Sequence, residues 1–124
     1  MYLIDTDILI WVLRDNKRYI DLLKELAQKG SLFISTITIA EIYKNIYPAE
    51  LLKTENLLNT LQSLDVTPTV AKQAGLYWQE YAKKLKNLNL TDCLIAATAN
   101  INEAIVVSLN KKHFPMKDIK LLNF

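Results

Sequence analysis

The stretch YLIDTDILIW, residues 2–11, sets Asp5 and Asp7 inside an otherwise apolar run. Two further acids stand far along the chain, Glu41 in STITIAEIYKNIY and Asp92 in NLTDCLIAATA. Each has a purely structural role open to it. Asp5 or Asp7 can cap a helix, and Thr38-x-x-Glu41 has the spacing of a capping box. Asp92, early in a helix, can meet the positive end of the dipole. That role suits Asp92 least, because its helix is so apolar that an unpaired acid there is costly to bury. Joint placement is the alternative. If Asp5, Glu41 and Asp92 converge, they repel one another and stay ionised at neutral pH only with a cation between them. Oxygen-only ligands in an open cleft suit Mg²⁺ or Mn²⁺. One cysteine, Cys93, and one histidine, His113, make no zinc set. An acid-lined metal site that polarises a phosphodiester and activates water is nuclease chemistry.

Such convergence requires elements that bring distant residues to one edge. Tyr2 to Ile4 reads as a short buried strand, after which Thr6 or Asp7 caps a helix to about Leu13. Tyr19 to Gln28 reads as a second helix with Gly30 after its end, and Leu32 to Ser35 as a strand. Ile39, Ile42, Tyr43, Ile46 and Tyr47 recur at helical spacing up to Pro48. Glu50 to Leu64 reads as a helix, Asp65 to Thr67 as a short strand, and Pro68 to about Leu85 as a helix. Leu90 to Asn102 is apolar on nearly every side, hence central. Ala104 to Ser108 and Lys120 to Leu122 complete the strands. Short unalternating strands between helices predict a three-layer α/β/α sandwich around a short parallel sheet. In such sheets ligands bind beyond the carboxyl ends of the strands, at the switch point. Asp5, Glu41 and Asp92 all fall at or near that rim, as does the LNKKHF turn after AIVVS.

A chain of 124 residues, 51% hydrophobic and 23% charged, is expected to form one globular domain over residues 1–124. No run approaches the roughly 18 apolar residues of a membrane span. No signal peptide is visible and the cysteine is single, so a cytoplasmic address is expected. The net charge of +2 is too mild to announce a nucleic-acid binder. The cations are nonetheless local: Lys83, Lys84 and Lys86 cluster, as do Lys111, Lys112 and His113. Such clusters read as solvated surface unless they flank a phosphate-handling site. With two glycines the chain carries neither a Walker A loop nor a GxGxxG pattern.

Taken together, four stretches resemble the PIN-domain family, specifically the small VapC-type toxin ribonucleases of prokaryotic toxin–antitoxin pairs. YLIDTDILIW looks like the family's opening strand with its first catalytic aspartate at Asp5. STITIAEIYKNI is similar to the segment of the second acid, Glu41, with Thr38 one turn before it. LNLTDCLIAATA resembles the third-acid motif and puts that residue at Asp92. AIVVSLNKKHF looks like the final strand and polar turn. The resemblance implies a PIN-like nuclease domain in which Asp5 and Asp92 bind Mg²⁺ or Mn²⁺. Glu41 would orient or deprotonate water, or join the metal shell. Ser108 and Asn110 would complete the rim by hydrogen bonds, with Lys111 and Lys112 where an RNA backbone approaches. It further implies a cognate antitoxin whose terminal segment fills the groove, and a homodimer. Two departures stand out. Asp7 occupies a place where many relatives have Asn, and Asn110 stands where the final motif often supplies a fourth aspartate.

Two other readings compete. A PIN fold that keeps its antitoxin groove but has lost catalysis through Asn110 would be a binding protein. A haloacid-dehalogenase-like phosphatase would share the Asp-x-Asp spacing of DTDIL, but the late acidic pair it needs is replaced by LNKKHF. Trp11 and Trp78 are expected in the core or an interface rather than as base-stacking platforms.

Overall fold

In the computed structural model, which describes residues 1–124, five short strands form one parallel sheet. They are β1 (Tyr2–Ile4), β2 (Leu32–Ser35), β3 (Gln62–Leu64), β4 (Ile105–Val107) and β5 (Lys120–Leu121). Their spatial order is β3-β2-β1-β4-β5, every neighbour pairing being parallel. Six helices connect them: α1 (Thr6–Leu13), α2 (Lys17–Lys29), α3 (Thr36–Tyr43), α4 (Leu51–Leu58), α5 (Pro68–Tyr81) and α6 (Leu90–Asn102). None is long and apolar enough to cross a membrane.

The two-residue period of a strand sends successive side chains to opposite faces, and the core divides accordingly. Leu3 and Val106 point to one side, where they meet Val70, Ala74 and Tyr77 of α5 and Ile95, Ala96 and Ala99 of α6. Ile4, Ile34 and Val107 point to the other, against Ile8 and Leu9 of α1, Leu23 and Leu26 of α2, and Ile42 of α3. The sheet is therefore covered on both faces, and the expected three-layer α/β/α architecture is observed. α6 runs through the larger cluster with Cys93 and Ile95 to Ala99 all buried, as its nearly uninterrupted apolar composition predicts.

Several boundaries differ from the sequence reading, each for a local reason. α1 is capped by Asp5, one residue before Thr6 and two before Asp7, the caps expected, and the Asp5 Oδ1 accepts the Thr6 N–H at 2.8 Å. α3 begins after Ser35, whose hydroxyl accepts the Ile37 N–H at 3.2 Å. It stops at Tyr43, short of Ile46 and Tyr47. Pro48 forces the residue before it out of the helical region, and Tyr47 is extended at φ −88°, ψ 155°. A separate 3-10 turn (Pro48–Glu50) then leads into α4. α4 ends at Leu58 rather than Leu64, and the strand expected at Asp65 to Thr67 lies three residues earlier as β3. Gln62, Ser63 and Leu64 have little strand preference of their own; the exposed edge of β2 supplies their pairing, Phe33 to Gln62 through Ser35 to Leu64. α5 ends at Tyr81, short of the expected Leu85.

The sequence order reverses direction across the sheet between β1 and β4. Loops leaving these neighbours at their carboxyl ends diverge, which opens a crevice there. Asp5 follows β1 and Ser108 follows β4 at that opening.

Candidate active site

Asp5 stays in register with the sheet: its N–H donates to the Val107 carbonyl at 2.9 Å. Its carboxylate is thereby held at the crevice floor, with 6% of the residue exposed. Across the opening the Ser108 hydroxyl donates to Asp5 Oδ2 at 2.6 Å and lies 3.4 Å from Asp7 Oδ2. Ser108 is itself aligned by the Asn110 main-chain N–H, which donates to its Oγ at 3.0 Å. Asp7 is gripped by two main-chain donors, Ile8 N–H at 2.7 Å and Leu109 N–H at 3.0 Å. A single serine thus ties both acids of the first motif to the loop after β4.

The other two acids approach from the helices. Thr6, between Asp5 and Asp7, donates through its hydroxyl to Glu41 Oε1 at 2.7 Å. Its oxygen lies 3.3 Å from that of fully buried Thr38. Glu41 therefore does not close the capping box its spacing with Thr38 allows; Ser35 caps α3 instead. Asp92 does have the capping role. Its N–H donates to Asn89 Oδ1 at 3.0 Å, and its Oδ2 accepts the Asn89 N–H at 3.3 Å. The same Oδ2 also lies 3.4 Å from His113 Nδ1. Capping leaves the other oxygen, Oδ1, without a protein partner, as Glu41 Oε2 is.

The electrostatics record how crowded these charges are. Burial, then the neighbouring Asp7 charge and, more weakly, Asp92, push the Asp5 carboxyl up to about 7, against the donors Ser108 and Thr6. Burial also raises Asp7, against its main-chain donors. Asp92 is raised mainly by burial, with Glu41 and Asp7 adding to it and Asn89 and His113 opposing it. No lysine or arginine pairs with any of the four. A cation is what such a set lacks.

The four acids occupy one rim and feel one another, yet no three of the acidic or histidine side chains close on a common point as a finished ligand set. Their donors are all oxygens, two are free of protein partners, and no basic residue neutralises them. These properties fit a hydrated Mg²⁺ or Mn²⁺, which keeps several waters and takes few protein ligands. Asn110, the residue at the fourth-acid position, is exposed and contributes its main-chain N–H. Lys111 turns away to the Phe124 main-chain oxygen at 3.5 Å, and Lys112 is exposed.

Two residues of the site, Thr6 and His113, are named in the sequence reading only as a helix cap and as a member of a basic cluster. Thr6 was passed over because a threonine at the start of a helix reads as a cap, although its position between two acids was the available signal. His113 had no motif of its own; only the fold brings it to Asp92. Asp118, the other residue near the final motif, accepts from the Tyr77 hydroxyl at 2.7 Å and lies outside the site.

Comparison with known proteins places these features in a family. The PIN domain family model matches residues 2–119. A ribonuclease VapC10 of Mycobacterium tuberculosis is 34% identical over 116 residues, covering 94% of this chain and 87% of that protein. The structure also superposes on VapBC2 from Rickettsia felis, crystallised on a DNA fragment from their promoter. There the TM-score is 0.85 at 25% identity, covering 99% of this chain and 98% of that one. A toxin–antitoxin complex from Klebsiella pneumoniae gives a TM-score of 0.77 at 26% identity, over 94% of this chain and 92% of that one. The chain belongs to the PIN domain family.

Proposed function

We propose that this protein is an endoribonuclease, the toxin of a toxin–antitoxin pair, which hydrolyses RNA with Mg²⁺ or Mn²⁺ held by its acids. The carrying observation is the Asp5–Ser108–Asp7 linkage at the mouth between β1 and β4, faced by Asp92 and by Glu41 on its threonine. The ribonuclease naming of a relative aligned over 94% of the chain supports the same reading.

In this reading Asp5 and Asp92 hold the ion, which supplies Lewis-acid stabilisation of charge on the scissile phosphate. Ser108 keeps Asp5 oriented, and the loop after β4 is locked in place by the Leu109 N–H on Asp7 and the Asn110 N–H on Ser108. Glu41, with one oxygen fixed by Thr6 and the other free, is placed to orient an attacking water or accept its proton. Asn110 brings no charge to the rim, so the ion depends on fewer carboxylates than a four-acid site would offer.

Beside Glu41 a cavity of about 350 Å³ runs between α1 and α3, walled by Ile10, Leu13, Ile42, Ile46 and Tyr47. Its apolar walls and the Glu41 that lines it suit the antitoxin segment that would block the site. A toxin homodimer belongs to the same proposal, and Trp78 and Leu76, both exposed on α5, are available to it.

The test is cleavage of total RNA by antitoxin-free protein, with Mg²⁺, with Mn²⁺ and with EDTA. Asp5→Ala and Asp92→Ala should each lose at least about a hundredfold in rate, the scale of removing a principal electrostatic group, with circular dichroism unchanged. Cleavage by either variant at the wild-type rate removes the assignment. If wild type neither cleaves nor gains thermal stability from the metals while still binding an antitoxin, the binding-protein reading replaces it.

A further inference from the structure

Outside the acid cleft, the outer surface of α1 and α2 carries an arrangement that the catalytic reading leaves unused. Trp11, expected in the core or an interface, is outside the core, with 39% of it exposed. Its ring stacks on Tyr19 of α2, with centroids 6.3 Å apart and planes inclined by 28°. Each ring carries a guanidinium: Arg14 lies 5.5 Å from the Trp11 centroid and Arg18 5.7 Å from that of Tyr19. Arg18 and Tyr19 also line a recess of about 240 Å³ together with Asp21, Leu22, Glu25 and Phe124. The Phe124 ring is in turn covered by Lys111 Nζ at 4.9 Å. The result is a continuous ribbon of rings and cations: Arg14, Trp11, Tyr19, Arg18, Phe124 and Lys111.

The ribbon adjoins the site at its Arg14 end, while the Lys111 side chain at the other end turns to Phe124. Arg14 lines the cavity that contains Glu41, and Lys111 directly follows Asn110, whose N–H holds Ser108. Neither arginine has a carboxylate partner. The nearby acids are mostly spoken for: Asp15 is paired with Lys53 at 2.8 Å and Glu25 with Lys29 at 3.3 Å. Asp21, at the recess beside Phe124, is the acid left without an ion pair there. The guanidinium groups over Trp11 and Tyr19 carry no ion pair, and Trp11 and Phe124 keep 39% and 38% of their surface exposed.

We propose that this ribbon is the track for single-stranded RNA leading to the scissile phosphate, with unstacked bases lying on the Trp11, Tyr19 and Phe124 side and phosphates on Arg14, Arg18 and Lys111. The inference rests on the ribonuclease reading of the cleft. Rings alternating with cations are how proteins bind single strands without strict sequence preference: every base has a π face, and every nucleotide a phosphate. A duplex keeps its bases stacked on each other and cannot use the rings.

The experiment measures fluorescence anisotropy of a labelled single-stranded RNA of about 16 nucleotides, and of its duplex, in EDTA so that nothing is cut. Wild type should prefer the single strand. Trp11→Ala should weaken it by about tenfold, and Trp11→Phe, which keeps a ring, should restore most of the loss. Arg14→Gln with Arg18→Gln should also flatten the slope of log affinity against log salt by about 1.4, the value for two phosphate contacts on a single strand. In cleavage assays both variants should raise KM and leave kcat in place. Unchanged RNA affinity in both variants overturns the track, even if Asp5→Ala still abolishes cleavage and the nuclease reading stands. Equal binding of single strand and duplex overturns it too. Unchanged RNA affinity with an altered sedimentation coefficient assigns the ribbon to contact between copies of the chain. Cleavage surviving in Asp5→Ala, by contrast, is a failure of the catalytic reading itself.

Discussion

Asp5 concentrates the chemistry of the site in one side chain. Its carboxyl is lifted from 3.8 to about 7, by burial first and by the Asp7 charge second. An acid whose folded pKa lies above its unfolded value binds its proton more tightly in the folded state. The folded form therefore gains most below the unfolded value and loses that gain as pH rises through the folded one. Metal-free protein should accordingly lose stability between about pH 4 and pH 7, by on the order of 3 kcal/mol from this residue. Asp5→Asn should remove that slope and melt above wild type at pH 8 while failing to cleave RNA. Thermal melts of both proteins across this range decide the matter; parallel curves would show that Asp5 is not the strained group. The proposed function thus places its metal ligand on a destabilised residue, the trade-off expected where a site is built for a ligand rather than for packing.

At the scale of elements, α6 does two jobs that depend on each other. Its first turn presents Asp92, capped through Asn89, and its body fills the larger core cluster with Ile95 to Ala99. The alanines let the helix lie close against the sheet and α5. Ala96, fully buried, is the place to test this. Ala96→Leu should lower stability by about 1–3 kcal/mol through overpacking. It should also reduce cleavage measured well below the melting temperature, because a shift of α6 that relieves the clash carries Asp92 with it. A variant that melts lower but cleaves normally would show that the rim tolerates displacement of the helix. The contrast with β3 is instructive. Its residues are exposed or half-buried and its strand identity comes from β2, so its sequence carried no strand signal.

Across the whole molecule, the rim is assembled by topology. Parallel strands send every following loop to the same edge, and the reversal between β1 and β4 parts the loops that carry Asp5 and Ser108. Four like charges at that edge repel, so a divalent ion should act as a structural as well as a chemical component. Mn²⁺ should raise the melting temperature of wild type and, near pH 7, release about half a proton per ion as Asp5 ionises. Calorimetry in two buffers of different ionisation enthalpy reads that number directly. Asp5→Asn should release none from this group; an equal release from both proteins would place the proton elsewhere.

Much of this was already written in the order of residues. A short apolar run broken by Asp5 and Asp7, helices spaced between unalternating strands, and Asp92 opening an apolar helix identified the layered architecture and three of the acids. Those signals are legible because periodicity and burial cost act on neighbours along the chain. What only the tertiary structure decided were the contacts between residues far apart in sequence. Ser108 could not be tied to Asp5, nor Thr6 to Glu41, nor His113 to Asp92, until the sheet order was known. The same holds for Trp11 and Tyr19, eight residues apart on different helices, and for Phe124, which meets them only after the chain has crossed the sheet. Hydrogen bonds and ring contacts act over a few ångströms of space, and separation along the chain does not report that distance.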